Sequence, residues 1–152
     1  MKRILIAAVV GLAGLGGAAG AQSARTPLAD VVEARQASMM LSGVAMGAIK
    51  AAIDAEQPIA SQRFPTRALA RWAHAVPGAF PVGSGAEAGV RTNAKPEIWS
   101  DRAGFEARAA EYAAAADRLA QLAAGDDPAA FAAQWAVVRA SCQSCHDGYK
   151  VG

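Results

Sequence analysis

Apolar residues recur at steps of three and four over four long stretches of the chain. In the first, Leu28, Val32, Arg35, Met39, Gly43, Met46, Ile49 and Ile53 fall on one line, the spacing of one face of an α-helix. Thr26 is a capping residue type, and Pro27 suits the first helical position, where its missing N–H is no loss. The pattern fades at Glu56-Gln57, and Pro58 follows. A second stretch runs from Ser61 to about Val76, with Leu69, Trp72, Ala73 and Val76 as its apolar side, and Pro77-Gly78 stops it. A third starts after Pro96, with Ser100 and Asp101 near its beginning, and continues to about Ala124. Ile98, Phe105, Ala109, Tyr112, Ala116 and Leu119 mark its buried stripe, and Gly125 is a stop signal. Asp127 and Pro128 then open a fourth, carrying Phe131, Trp135, Val138, Cys142, Cys145 and Tyr149. No stretch alternates apolar and polar residues as a half-buried strand does. The expectation is an all-α chain folded as an antiparallel bundle of four helices.

Two places depart from that pattern. Residues 77 to 96 hold three prolines and four glycines, a long irregular connection of the kind that is functional or disordered. Gly43 and Gly47 lie four apart on the first helix, where each weakens the helix relative to Ala. They clear room for something bulky, either another helix or a flat cofactor.

Composition changes the picture at the N-terminus. Lys2 and Arg3 precede an apolar run from Ile4 to Leu15, and Ala19-Gly20-Ala21 has the small residues of a cleavage site. That order reads as a signal peptide over residues 1–21, with a single mature domain over 22–152 exported to the periplasm. The run is too short for a membrane span of about 20 residues, so no anchor is expected after cleavage. Removing Lys2 and Arg3 leaves thirteen basic and thirteen acidic side chains. A neutral chain without a basic tract excludes nucleic acid as a partner, because phosphate binding needs clustered Lys and Arg.

The chemistry lies at the end of the fourth helix. Cys142-Gln143-Ser144-Cys145-His146 has the C-x-x-C-H form of a haem attachment site. Helix positions i, i+3 and i+4 share one face. Both thiols can therefore reach the edge of one porphyrin and add across its vinyl groups, while His146 reaches the iron from the same side. A disulfide between residues three apart would staple nothing distant. Zinc needs four ligands, and the only other histidine, His74, is remote in sequence and reads as a partly exposed helix residue. A redox C-x-x-C belongs at a helix start in a βαβ setting. Met39, Met40 and Met46 are candidates for a second axial ligand, or equally for core filling. Arg35 interrupts an apolar stripe, where a haem propionate or an ion pair would satisfy it. Lys150 lies one turn beyond His146, as a proximal charge or as a solvated residue near a helix C-terminus.

Arg35-Gln36, the Pro58 break, the stretch Lys95-Pro96-Glu97-Ile98-Trp99-Ser100-Asp101 and the terminal CQSCHDGY motif resemble cytochrome c prime, the class II c-type cytochromes. The resemblance spans essentially the whole mature chain. It implies a left-handed four-helix bundle, usually a homodimer, with one covalent haem c. It implies that Cys142 and Cys145 tether the haem and that His146 binds the iron on one face. It implies that an apolar side chain closes the other face, and position relative to Pro58 makes that residue Met39. Arg35 and Gln36 match propionate contacts, and Thr92 and Asn93 fall where a loop touches the haem edge. Lys150 takes a place where many relatives have Arg, keeping the charge without the planar fork. The resemblance favours a five-coordinate, high-spin iron that binds NO or CO and exchanges electrons with a redox partner. The alternative is a six-coordinate His146/Met39 electron carrier, as in low-spin members of the class. An enzymatic role is not expected, since helix one offers no distal His and Arg pair for acid–base work.

Overall fold

The computed structural model describes residues 26–152; the signal-peptide expectation for residues 1–21 lies outside them. Helix α1 spans Pro27–Asp54, α2 Arg63–Ala75, α3 Glu97–Ser100, α4 Arg102–Leu122 and α5 Pro128–Tyr149. The four long helices form the expected antiparallel bundle. No extended strand occurs among the described residues, and the single antiparallel bridge joins Ala94 to Lys150.

The helix ends follow from local chemistry. Thr26 Oγ1 accepts the Ala29 N–H at 3.1 Å and Pro27 sits at the first position of α1. Asp127 caps α5 in the same way, accepting from Ala130 at 2.9 Å. Helix α1 stops because Glu56 turns left-handed, at φ 50°. The Gln57 N–H then reaches back to the Ala52 carbonyl and that of Glu56 to the Ile53 carbonyl, which pairs two carbonyls the helix would leave open.

Two sequence expectations are corrected. The second helix does not begin at Ser61: a 3₁₀ turn over Ile59–Gln62 precedes it, and the α-helix starts at Arg63. The third is not continuous from Pro96. A single turn, α3, ends at Asp101, whose φ −116°, ψ 56° is non-helical and whose carboxylate caps α4 by accepting from the Gly104 N–H at 3.2 Å. Asp is an N-cap residue before it is an interior one, and it starts a new helix here.

The core is built on α4. Phe105, Ala109, Tyr112, Ala116 and Leu119 are buried along it, facing Leu69 and Ala73 of α2 and Phe131 and Val138 of α5. Phe105 sits edge-on to Phe80 and to Tyr149, with centroids 5.0 and 5.4 Å apart. Helix α1 packs more sparsely. Its buried residues are Ala29, Val32 and Arg35 near one end and Ile49 and Ala52 near the other. By length and composition α1 would also pass for a membrane span; here it lies along the bundle, and a buried guanidinium helps to hold it there.

The connection over residues 77–96 is ordered. Arg102 donates to the carbonyls of Phe80 and Pro77 at 3.1 and 2.8 Å. Trp99 Nε1 donates to that of Pro81 at 3.0 Å. At the far end, Lys95 N donates to Tyr149 O and Val151 N to Asn93 O. This fastens the loop to the end of the helix that bears the C-x-x-C-H motif.

Candidate haem site

The structure gathers most of the sequence-predicted site residues around one cavity. Arg35, Gln36, Met39, Thr92, Asn93, Cys145, His146 and Lys150 all line a space of about 570 Å³ between α1, the loop and α5. Cys142 lines an adjoining cavity of about 260 Å³, together with Met39, Cys145 and His146. The two spaces share those three residues and Val76, so they form one slot along the α1 side of α5. The lining is mainly apolar, as expected where a small ligand is buried.

The motif presents itself as the helix period requires. Both thiols are free, partly buried and turned to the slot. Burial raises the pKa of each; a neighbouring thiol adds to the effect at Cys142, and Arg108 opposes it at Cys145. Both are therefore thiols rather than thiolates at neutral pH. Burial, helped by Lys150 and opposed by Asp147, holds the His146 imidazole below its ordinary value. It is thus neutral at pH 7, the form that ligates a metal. Among the described residues, no three His, Cys, Asp or Glu side chains converge as a metal site of their own, which leaves zinc without its ligands.

The opposite wall is made by the middle of α1. A Cβ placed on Gly43 or Gly47 would meet nothing within 4 Å, and both glycines line the slot. Among the described residues no other helix takes the space they clear, and it opens on the slot. Met39 is partly buried and packs on the core. Met46 lines the smaller cavity, and its carbonyl accepts from Trp135 Nε1 at 3.0 Å. Met40 is 73% exposed at the rim. His74 stands apart, paired with Asp117 at 2.9 Å with its side chain 62% exposed.

Arg35 is 3% exposed, and four of its five N–H donors are engaged by the loop. Nη1 donates to Ala79 O and Ser84 Oγ, and Nη2 to Ser84 O and Thr92 Oγ1, at 2.9–3.2 Å. Its guanidinium also lies 4.2 Å from the Phe80 ring centroid. Gln36 Nε2 donates to Arg91 O at 2.8 Å. These two side chains position Thr92 and Asn93 at the cavity. Sequence reasoning missed this network, and missed Phe80, Phe105 and Tyr149 as cavity residues. The apolar stripe through Phe105 and the position of Tyr149 one turn after Cys145 were the available signals.

A helical bundle with a C-terminal C-x-x-C-H face opening on an apolar slot defines a c-type haem protein. Residues 30–150 match the family model described as Cytochrome C', and the chain belongs to that family, whose members hold one covalently attached haem c. It is 32% identical to the cytochrome c' of Allochromatium vinosum over 152 residues, 99% of each chain. It is 35% identical to the cytochrome c-556 of Agrobacterium fabrum, over 81% of this chain and 82% of that one. Among solved structures, a cytochrome c' described as having an unusual ligand-controlled dimer dissociation superposes with TM-score 0.76 and 27% identity, covering 84% and 98% of the two chains. The nitric oxide complex of a variant cytochrome c prime from Alcaligenes xylosoxidans gives 0.73 and 26%, covering 82% and 96%.

Proposed function

We propose that the exported chain carries its haem through thioethers to Cys142 and Cys145, with His146 on one face of a five-coordinate, high-spin iron, and that it binds NO or CO and passes electrons. The observation that carries this is the opposition of two walls across one slot. Cys145 and His146 line one side, and Met39, Gly43 and Val76 the other. When bound, haem supplies a redox-active iron with an open coordination position. The protein's part is to hold the ring edge covalently, keep the imidazole neutral and present an apolar wall where a small diatomic molecule can enter but a larger one cannot. The nitric oxide complex of the Alcaligenes relative supports gas binding. Arg35, Gln36, Thr92 and Asn93 serve the propionate edge of the ring, and Lys150 the proximal side. Neither Met39, Met46 nor Val76 offers an acid or base to a bound oxidant, so the reading is of a carrier rather than an enzyme. The signal-like order of residues 1–21 supports a periplasmic location.

The second reading makes Met39 the sixth ligand of a low-spin electron carrier. It is favoured by the placement of Met39 beside His146 on both cavities and by the likeness to cytochrome c-556. One optical spectrum separates the two. A high-spin spectrum that shifts when CO meets the reduced protein supports the first reading. A methionine-to-iron charge-transfer band, lost in Met39→Ala, supports the second. Bare polypeptide mass and no Soret band would dismiss both.

We further propose a homodimer through the outward face of α1. Leu41 and Val44 are 67% and 69% exposed there, with Met40 at the neighbouring rim of the slot 73% exposed, and exposed apolar clusters of this kind mark contact surfaces. Val44→Asp is expected to give a monomer by sedimentation; an unchanged oligomer would place the interface elsewhere.

A further inference from the structure

His146 sits in the last turn of α5, where a helix leaves four carbonyls without an intrahelical partner and tends to fray. Here three of the four are taken. The His146 carbonyl accepts from Lys150 N, that of Asp147 from Lys95 Nζ and that of Tyr149 from Lys95 N, each at 3.0 Å. The side chain of Tyr149 adds a further tie. Its ring stands edge-on to the buried Phe105, and its hydroxyl donates to Asp101 Oδ2 at 2.9 Å. The other oxygen of that carboxylate accepts the Gly104 N–H and caps α4. One aspartate therefore starts α4 and holds the end of α5. The break between α3 and α4 puts Asp101 where its carboxylate can serve both. Gly104 makes the approach possible: a Cβ there would meet the Asp101 carboxylate and lie 2.7 Å from the Tyr149 hydroxyl. Tyr149 follows His146 by three residues, so the two share a face of the helix, and both line the larger cavity.

Resting on the haem reading above, we propose that Tyr149 is a positioning residue for His146: its hydroxyl, latched to Asp101 over Gly104, fixes the direction from which the imidazole meets the iron. Groups outside the ligand set orient a metal-binding imidazole. Tyr149 does so through the backbone of the turn they share rather than by touching the ring. The latch ties that turn to the start of α4, the most deeply packed helix of the bundle, so the imidazole is referred to the core and not to a free helix end.

The test uses the haem-loaded protein and two readouts. Hydrogen exchange at residues 148–151 reports the latch and needs no haem. The hyperfine-shifted haem-methyl proton signals of the oxidised protein report the orientation of the imidazole, whichever coordination the iron has. Tyr149→Phe keeps the ring and deletes the donor. Asp101→Ser keeps a cap of similar strength on a side chain too short to reach Tyr149. Gly104→Ala favours the helix by propensity and crowds the latch. All three should quicken exchange at 148–151 roughly two- to tenfold and displace the methyl signals in a common pattern. Asp101→Asn still caps α4 and can offer its amide to the Tyr149 oxygen, so it should stay close to the parent in both readouts. Faster exchange with unmoved methyl signals would make Tyr149 a purely structural tie and overturn the proposal. So would Tyr149→Phe and Gly104→Ala proteins that match the parent in both. A starting protein without a Soret band would overturn the haem reading itself, while the exchange rates would still judge the latch.

Discussion

Helices α4 and α1 are both long, and they are held in opposite ways. Along α4 seven residues from Phe105 to Leu119 are buried, and it packs closely against both α2 and α5. On α1 nothing between Arg35 and Ile49 is fully buried. That middle part faces the slot on one side, with Met40 at its rim, and presents Leu41 and Val44 outward on the other. Helix α4 is kept in place by continuous apolar burial. Helix α1 spans the slot between two fastenings, the Arg35 network to the loop and the Trp135–Met46 hydrogen bond to α5. A cofactor slot needs one wall whose core contacts are given up, and directional bonds at its ends replace them.

Breaking the packed side should have the largest effect. Phe105→Ala removes a ring that is 1% exposed and is expected to cost about 3–5 kcal/mol of global stability by chemical denaturation. Arg35→Met strikes one fastening. It leaves Ser84 Oγ, Thr92 Oγ1 and two carbonyls without their donor, and should cost about 1–3 kcal/mol. Hydrogen exchange should quicken first in residues 79–94, while amides of α4 stay protected. Equal loosening of α4 would remove the distinction between the two helices. Trp135→Phe keeps the ring and deletes the N–H to Met46, for about 1 kcal/mol. Faster exchange is expected in the middle of α1 and little change elsewhere.

The smallest effect concerns pH. Burial raises the phenol pKa of Tyr112 well above its ordinary value. The folded chain then holds a proton that the unfolded chain releases near pH 10. Stability is therefore complete below about pH 10 and declines as pH rises beyond it. Denaturation midpoints of Tyr112→Phe should decline less steeply over that range and match the parent near pH 7.

Thr26-Pro27 and Asp127-Pro128 marked two helix starts as local chemistry, and the three–four spacing marked four helix stripes, because both are decided within a few residues of chain. The C-x-x-C-H face was legible for the same reason: its geometry is that of one helical turn. The break at Asp101 was harder to read, since an Asp near a helix start caps or continues according to what it is packed beside. Spacing reads Gly43 and Gly47 as room for a neighbouring helix or a cofactor, and only the arrangement of the described helices shows that this room opens on the slot. Arg35 stood out as a charge on an apolar stripe, yet its partners lie 44 to 57 residues away. Trp135 finds its acceptor 89 residues away. Sequence determines what a residue can do within its own helix. Only the tertiary fold brings α1 and the loop to the thiols and imidazole of α5, because contacts over such separations are fixed by how the helices pack together.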